Sequence, residues 1–227
     1  GMLQTEKGYY ELDPDTGALP VWVKYEYAQN TYSVAHFVRS ALGLTGPAAV
    51  VSTACSSSAK VFAMARRMLM LGVIDAAVVG GVDSLCLTTL HGFHSLQLLS
   101  PNPCKPFDAQ RDGISIGEAA AFTLLTRQEE SVPVGSLLVK GVGESSDAHH
   151  MSSPHPAGRG AQNAMQAALA QAGLTVQEID YIHLHGTATK NNDAAEGKAV
   201  ASLFEGLVPS SSTKGATGHC LGAAGGL

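Results

Sequence analysis

The chain has 227 residues, 45% of them hydrophobic and 15% charged, a composition that excludes a disordered segment and supplies enough apolar material for one large core or two joined ones. Lys and Arg number 14 against 19 Asp and Glu, for a formal charge of −5, and the basic residues form no run, so neither nucleic acid nor an anionic membrane finds an electrostatic footprint. No apolar stretch is long enough to cross a bilayer and no signal-peptide pattern opens the chain, from which a cytoplasmic setting is expected.

The first 30 residues, rich in Tyr, Pro and Gly, show no clean period and are expected to be irregular, with short helical turns at most. Helical spacing runs from Tyr32 to Leu42 and stops at Gly43 and Gly46-Pro47. The short, β-branched run Ala48-Ala49-Val50-Val51 predicts a buried strand, ending at Ser52-Thr53-Ala54-Cys55. Ser57 to Leu71, rich in Ala, Met, Leu and Arg, predicts a helix closed by Gly72. Cys55 thus falls at a strand-to-helix turn. Ala76-Ala77-Val78-Val79 predicts a second buried strand, followed by a loop-like region through Pro101, Pro103 and Pro106 to Gly113-Ile114-Ser115-Ile116-Gly117. Glu118 to Leu125 is compatible with helix by propensity.

A boundary is expected near Ser131, dividing the chain into units 1–130 and 131–227. Beyond it come a strand from Leu137 to Val139, a polar loop with His149, His150 and His155, and a helix from about Ala161. The apolar face of that helix is Ala161, Ala164, Met165, Ala168, Leu169 and Ala172, at i, i+3, i+4 spacing, with Gly173 as its stop. A strand at Tyr181 to Leu184, a helix from about Ala194 to Leu203, a strand near Val208 to Ser212 and a Gly-rich helix start complete an α/β alternation with largely buried sheets.

The four cysteines, Cys55, Cys86, Cys104 and Cys220, are widely spaced and make no C-x-x-C pair, so neither a zinc site nor a disulfide scaffold is expected. Cys55 stands apart because unpaired N–H groups at a helix start stabilise a thiolate and lower its pKa. His185, in His185-Gly186-Thr187-Ala188-Thr189, lies at the end of a strand, and His219, in Lys214-Gly215-Ala216-Thr217-Gly218-His219, lies between a strand and a Gly-rich helix start. Strand ends of an α/β sheet are where ligands bind, and three of them bearing Cys, His and His point to one shared site.

Thr53-Ala54-Cys55-Ser56-Ser57, His185 to Thr189 with Asp193 and Glu196, and Ser212-Thr213-Lys214 through His219 to Gly222-Ala223-Ala224-Gly225-Gly226 resemble the β-ketoacyl-acyl-carrier-protein synthases of the thiolase superfamily. Gly80-Gly81-Val82-Asp83, Pro106-Phe107-Asp108 and Arg111-Asp112-Gly113 extend the resemblance over nearly the whole chain. It implies a layered α-β-α-β-α fold with an incomplete N-terminal half, and a chain cut short at both ends, without the family's second oxyanion donor and gating aromatic.

The resemblance also implies a chemistry. Cys55 takes an acyl group as a thioester, and a malonyl group on acyl carrier protein then decarboxylates and attacks it, in fatty-acid, polyketide or polyene chain elongation. His185 and His219 donate hydrogen bonds to the developing enolate, and the Cys55 N–H holds part of the tetrahedral oxyanion. Lys214 organises the histidines with Glu196 as ionic partner, Asp193 supports them, Thr187 and Thr189 bind the phosphopantetheine arm, and His150 lies near the entrance. No metal and no separate cofactor is implied, and a homodimer paired around the strand before Cys55 is expected.

Two readings from other classes compete. Gly113 to Gly117 fits the G-x-S-x-G elbow of serine hydrolases, and Asp193 and His219 follow Ser115 in the required order, but the segment before Ser115 is polar and proline-bearing rather than a buried strand. A non-catalytic partner subunit of such a synthase would lack Cys55. His183 and His185 share a strand face, but a metal would need a third ligand. Ser56, Ser57 and Ser58 are read as helix-cap residues.

Overall fold

A computed structural model of the chain describes residues 2–128, 132–150, 152–206 and 208–227; the expected boundary at Ser131 lies outside them. In chain order the helices are α1 (Met2–Tyr10), α2 (Tyr25–Ala28), α3 (Ser33–Ala41), α4 (Ser57–Met70), α5 (Leu87–Ser95), α6 (Arg159–Ala172), α7 (Lys190–Phe204) and α8 (Lys214–Thr217). The strands are β1 (Ala76–Asp83), β2 (Ala119–Thr126), β3 (Ile182–His183) and β4 (Ser210–Ser211). Among the described residues no helix is long and apolar enough to cross a membrane.

Strand β1 pairs antiparallel with β2, Ala76 opposite Thr126 and Asp83 opposite Ala119, while β3 and β4 form a short parallel pair. Helix α4 and the Gly-rich 3-10 turn Leu221–Gly226 pack on β1. That packing depends on small residues: a Cβ on Gly81 would lie 2.3 Å from the Gly222 carbonyl oxygen and 3.0 Å from Ser58 Cβ. Asp83 accepts the Gly222 N–H at 2.9 Å and Ser58 Oγ the Gly225 N–H at 2.8 Å, which fastens the C-terminal segment to β1 and to α4.

Helix α6 buries the expected face. Ala161, Ala164, Met165, Ala168, Leu169 and Ala172 are all half-buried, whereas Asn163, Gln166, Ala167 and Ala170 are exposed. The helix ends where Gly173 adopts φ +67°, a left-handed conformation that costs glycine nothing, and the Leu174 N–H reaches back to the Leu169 carbonyl at 3.1 Å.

Several expectations are corrected. The N-terminal stretch expected to be irregular contains the nine-residue α1. Residues 48–51 and 137–139 are not in strands, since no neighbouring segment among the described residues supplies a hydrogen-bonding ladder; Leu137 is 98% exposed. The segment from Glu118 to Leu125, whose state propensity left open, supplies most of β2 (Ala119–Thr126), because pairing with all of β1 outweighs the weak local preference of Ala and Leu. The supposed loop after β1 contains α5, and α7 starts at Lys190, ahead of the expected Ala194. The sheets are not largely buried either: Phe122 and Leu124 of β2 are exposed.

Candidate functional site

The chain reaches Cys55 through a tight 3-10 turn, Ala54–Ser56, that leads into α4. Ala54 has φ +53°, and the turn is held by its neighbours: Ser57 Oγ accepts the Thr53 N–H at 2.9 Å and donates to the Ala54 carbonyl at 2.7 Å, and Ser56 Oγ donates to the Thr53 carbonyl at 2.9 Å. These serines lock the turn rather than cap α4, whose N-cap makes no side-chain hydrogen bond. Ser58 is buried and serves Gly225 instead.

His219 is positioned by backbone. Its N–H donates to the Ser115 carbonyl at 2.7 Å and its carbonyl accepts the Gly117 N–H at 3.1 Å, so the Gly113–Gly117 segment forms the wall behind it. Its Nε2 lies 2.9 Å from Cys55 Sγ, and its ring meets that of His185 edge-on with centroids 5.3 Å apart. Cys55, His185 and His219 are therefore brought together from three distant parts of the sequence.

The turn bearing His185 is held from two sides. Glu196, from α7, accepts the N–H of His185 at 2.6 Å and of Gly186 at 2.8 Å, while Lys214 Nζ donates to the His185 carbonyl. The expected ion pair is thus not a direct contact: none of the salt bridges among the described residues joins Lys214 to Glu196, and the two charges attract across the turn they grip. Asp193, 2% exposed, accepts the N–H of Phe107 at 2.7 Å and of Ala188 at 3.2 Å, with Arg111 Nε 3.6 Å away. Thr187 and Thr189 pair their hydroxyls at 2.9 Å. His150 is exposed, and its hydrogen bonds among the described residues run to Ser152.

The electrostatics follow from desolvation. His219 is pushed down to about 3, by burial first and then by His185 and the Lys214 ammonium. His185 keeps part of its surface open to solvent, yet the protein packed around its ring pushes it down to about 4, with Lys214 adding to the effect. Both rings are neutral at pH 7. Burial lowers the Lys214 pKa while Glu196 raises it, and burial raises that of Glu196 while the Gly186 and His185 N–H groups lower it. The thiol of Cys55 is a correction to the expected thiolate: burial raises its pKa, and the opposing pull of Lys214 is smaller. A half-buried sulfur loses more from desolvation than it gains at this turn.

Other candidates are used elsewhere. Ser115 Oγ accepts the Cys104 N–H at 3.0 Å and donates to the Asn102 carbonyl at 3.3 Å, which occupies it structurally and leaves the hydrolase arrangement unsupported. His183 Nε2 contacts Thr213 Oγ1 at 3.2 Å and stands outside the cluster of Cys55, His185 and His219. Sequence reasoning missed Asp83, which fastens Gly222 and acts on the Cys55 charge, and the Phe107–Arg111–Asp193 tie, whose signal was the motif pair around Phe107 and Arg111. A cavity of about 1240 Å³ opens beside Cys55, lined among others by Val50, Val51, Met64, Met68 and Phe93.

Comparisons with known proteins agree with one another. The model of the β-ketoacyl synthase N-terminal domain matches residues 1–131 and that of the C-terminal domain residues 137–227. Nodulation protein E of Rhizobium meliloti is 39% identical over 197 residues, covering 84% of this chain and 49% of that protein. The 3-oxoacyl-[acyl-carrier-protein] synthase 2 of Rhizobium meliloti (strain 1021) is 42% identical over 196 residues, covering 80% of this chain and 46% of that protein. Among solved structures, a ketosynthase (ApeO) in complex with its chain length factor (ApeC) from Xenorhabdus doucetiae superposes with a TM-score of 0.86 at 43% identity, over 98% of this chain and 54% of that one. The chain spans about half the length of the curated relatives it matches.

Proposed function

Since the chain belongs to the β-ketoacyl synthase family and has its α/β thiolase-like fold, we propose that its Cys55, His185 and His219 carry out decarboxylative condensation on carrier-protein thioesters, in fatty-acid or polyketide chain elongation. The observation that carries this reading is the 2.9 Å contact between His219 Nε2 and Cys55 Sγ, beside a second neutral imidazole. The Cys55 sulfur attacks an acyl thioester, its proton leaves with the departing thiol, and the acyl group is held as an enzyme thioester. A malonyl thioester then loses carbon dioxide while the two imidazoles donate to the enolate oxygen, and the carbanion displaces Cys55 from the acyl group to give a β-ketoacyl thioester.

Lys214 and Glu196 set the His185 turn, and Asp193 braces it from behind. Thr187 and Thr189 offer hydroxyls to a phosphopantetheine arm, and His150 is assigned to the entrance. The acyl carrier protein as partner is supported by the R. meliloti 3-oxoacyl-[acyl-carrier-protein] synthase 2, a relative named for it. A division near Ser131 is supported by the ranges of the two family models, and a cytoplasmic setting by four unpaired thiols.

Two assemblies are in play. A homodimer paired through residues 48–51 is the first, and pairing with a non-identical subunit is the second, favoured by the chain length factor bound to the X. doucetiae ketosynthase. Sedimentation of the isolated protein separates them, a stable monomer favouring the second. The test of the activity is intact-mass measurement after incubation with an acyl thioester. Acylation of Cys55 is expected; acylation that persists in Cys55→Ala or maps to Ser115 would sink the proposal.

A further inference from the structure

Cys55 Sγ and one ring nitrogen each of His185 and His219 lie within 4.8 Å of one another. The donor set, one thiol and two imidazoles, is that of a borderline-soft divalent cation. A tetrahedral zinc ion, about 2.3 Å from sulfur and about 2.0 Å from nitrogen, places neighbouring ligand atoms roughly 3.3–3.6 Å apart. The contact of 2.9 Å between His219 and Cys55 is shorter than that and no separation in the trio exceeds 4.8 Å, so modest side-chain rotations bring all three onto one ion. The site is reachable, since Cys55 is half-buried and His185 exposed.

We propose that Cys55, His185 and His219 form a reversible zinc site, with water as the fourth ligand, whose occupancy blocks the nucleophile. The inference goes beyond the condensing reading and does not require turnover. On binding, the thiol proton leaves to solvent and a zinc–sulfur bond forms, with no electron transferred. Acylation and metal binding use the same sulfur, so each excludes the other.

Two features make this an inhibitory site rather than a resident one. A histidine in a dedicated metal site hands its second ring nitrogen to a carboxylate or carbonyl, whereas His219 Nδ1 is buried with no hydrogen-bond partner among the described residues. The Lys214 ammonium also acts on all three side chains and opposes a dication.

Cobalt(II) titration of the purified protein tests the proposal. A thiolate-to-cobalt charge-transfer band with tetrahedral visible bands is expected, displaced by zinc. Capping Cys55 with iodoacetamide on the folded wild type, to one adduct by mass, should abolish the band, and His185→Ala and His219→Ala should each weaken cobalt binding at least tenfold. Cobalt binding without the band, or a band that survives capping of Cys55, overturns the site. Zinc should also slow alkylation of Cys55 at least tenfold, and an unchanged rate at excess zinc overturns it as well. A protein that acylates Cys55 yet gives no band refutes the metal site alone, and one that gives the band without acylation refutes only the condensing reading.

Discussion

Replacing Asp193 with alanine removes the acceptor on which the rear of the site is built. The carboxylate is 2% exposed and takes the Phe107 N–H at 2.7 Å, the Ala188 N–H at 3.2 Å and Asn192 Nδ2 at 3.1 Å, with the Arg111 guanidinium beside it. Ala188 is 0% exposed, so water does not replace the lost acceptor there. Each stranded N–H costs about 1–3 kcal/mol. Removing one partner of a buried ion pair costs about 3–5 kcal/mol, and the two accounts describe the same groups rather than adding. A loss of about 3–5 kcal/mol is expected, large against a typical total of about 5–15 kcal/mol. Urea unfolding followed by circular dichroism would show it as a midpoint shift of roughly 2 M at a slope near 2 kcal/mol/M. Asp193→Asn keeps one acceptor oxygen and should lose about half as much. A loss below about 1 kcal/mol in the alanine variant would refute the bracing role.

Because His219 and His185 sit at about 3 and about 4 in the folded protein against 6.5 when free, the unfolded chain takes up protons first as pH falls. Stability contributed by the neutral rings is therefore whole above pH 6.5 and is lost progressively below it; urea midpoints of His219→Gln should fall less steeply than wild type between pH 6.5 and about 4, and parallel slopes would contradict the assignment. Alkylation of Cys55 by iodoacetamide should keep accelerating past the ordinary thiol range, since burial raises its pKa, and a plateau below neutral pH would show a stabilised thiolate instead. Gly81→Ala drives a Cβ to 2.3 Å from the Gly222 carbonyl oxygen, so a loss of about 1–3 kcal/mol is expected in thermal melts, and an unchanged melt would mean the C-terminal turn is free to move.

The meeting of Cys55, His185 and His219 was legible because each belongs to a short motif with a special backbone. The face of α6 was legible for a different reason, its apolar period being sustained along the whole helix. Strands fared worse. Residues 48–51 read as a strand by composition, but a ladder needs a partner, and pairing is a property of the assembled chain rather than of a short run. At β2 propensity left the state open for the same reason, and its partner β1 decides for strand. The state of the thiol was hidden for an electrostatic reason: a helix start argues for a thiolate, but burial opposes it. That burial is set partly by the Gly-rich turn packed against the Cys55 turn, a segment whose Gly225 lies 167 residues beyond the Ser58 it bonds.

Non-glycine residues around the site that hold left-handed backbone include Ala54 at φ +53°, Phe107 at φ +61° and Ala188 at φ +63°. Each costs roughly 1–2 kcal/mol relative to ordinary conformations, so the arrangement persists only where other contacts impose it. Ser56 and Ser57 do so around Ala54, and a single carboxylate, Asp193, takes the N–H groups of both Phe107 and Ala188. Asp193 thus binds two strained residues at once, one before the Gly113–Gly117 wall that orients His219 and one beside the turn that orients His185. The two histidines consequently share one buried brace although they touch different segments, which is why their relative placement should fail together when that brace is removed.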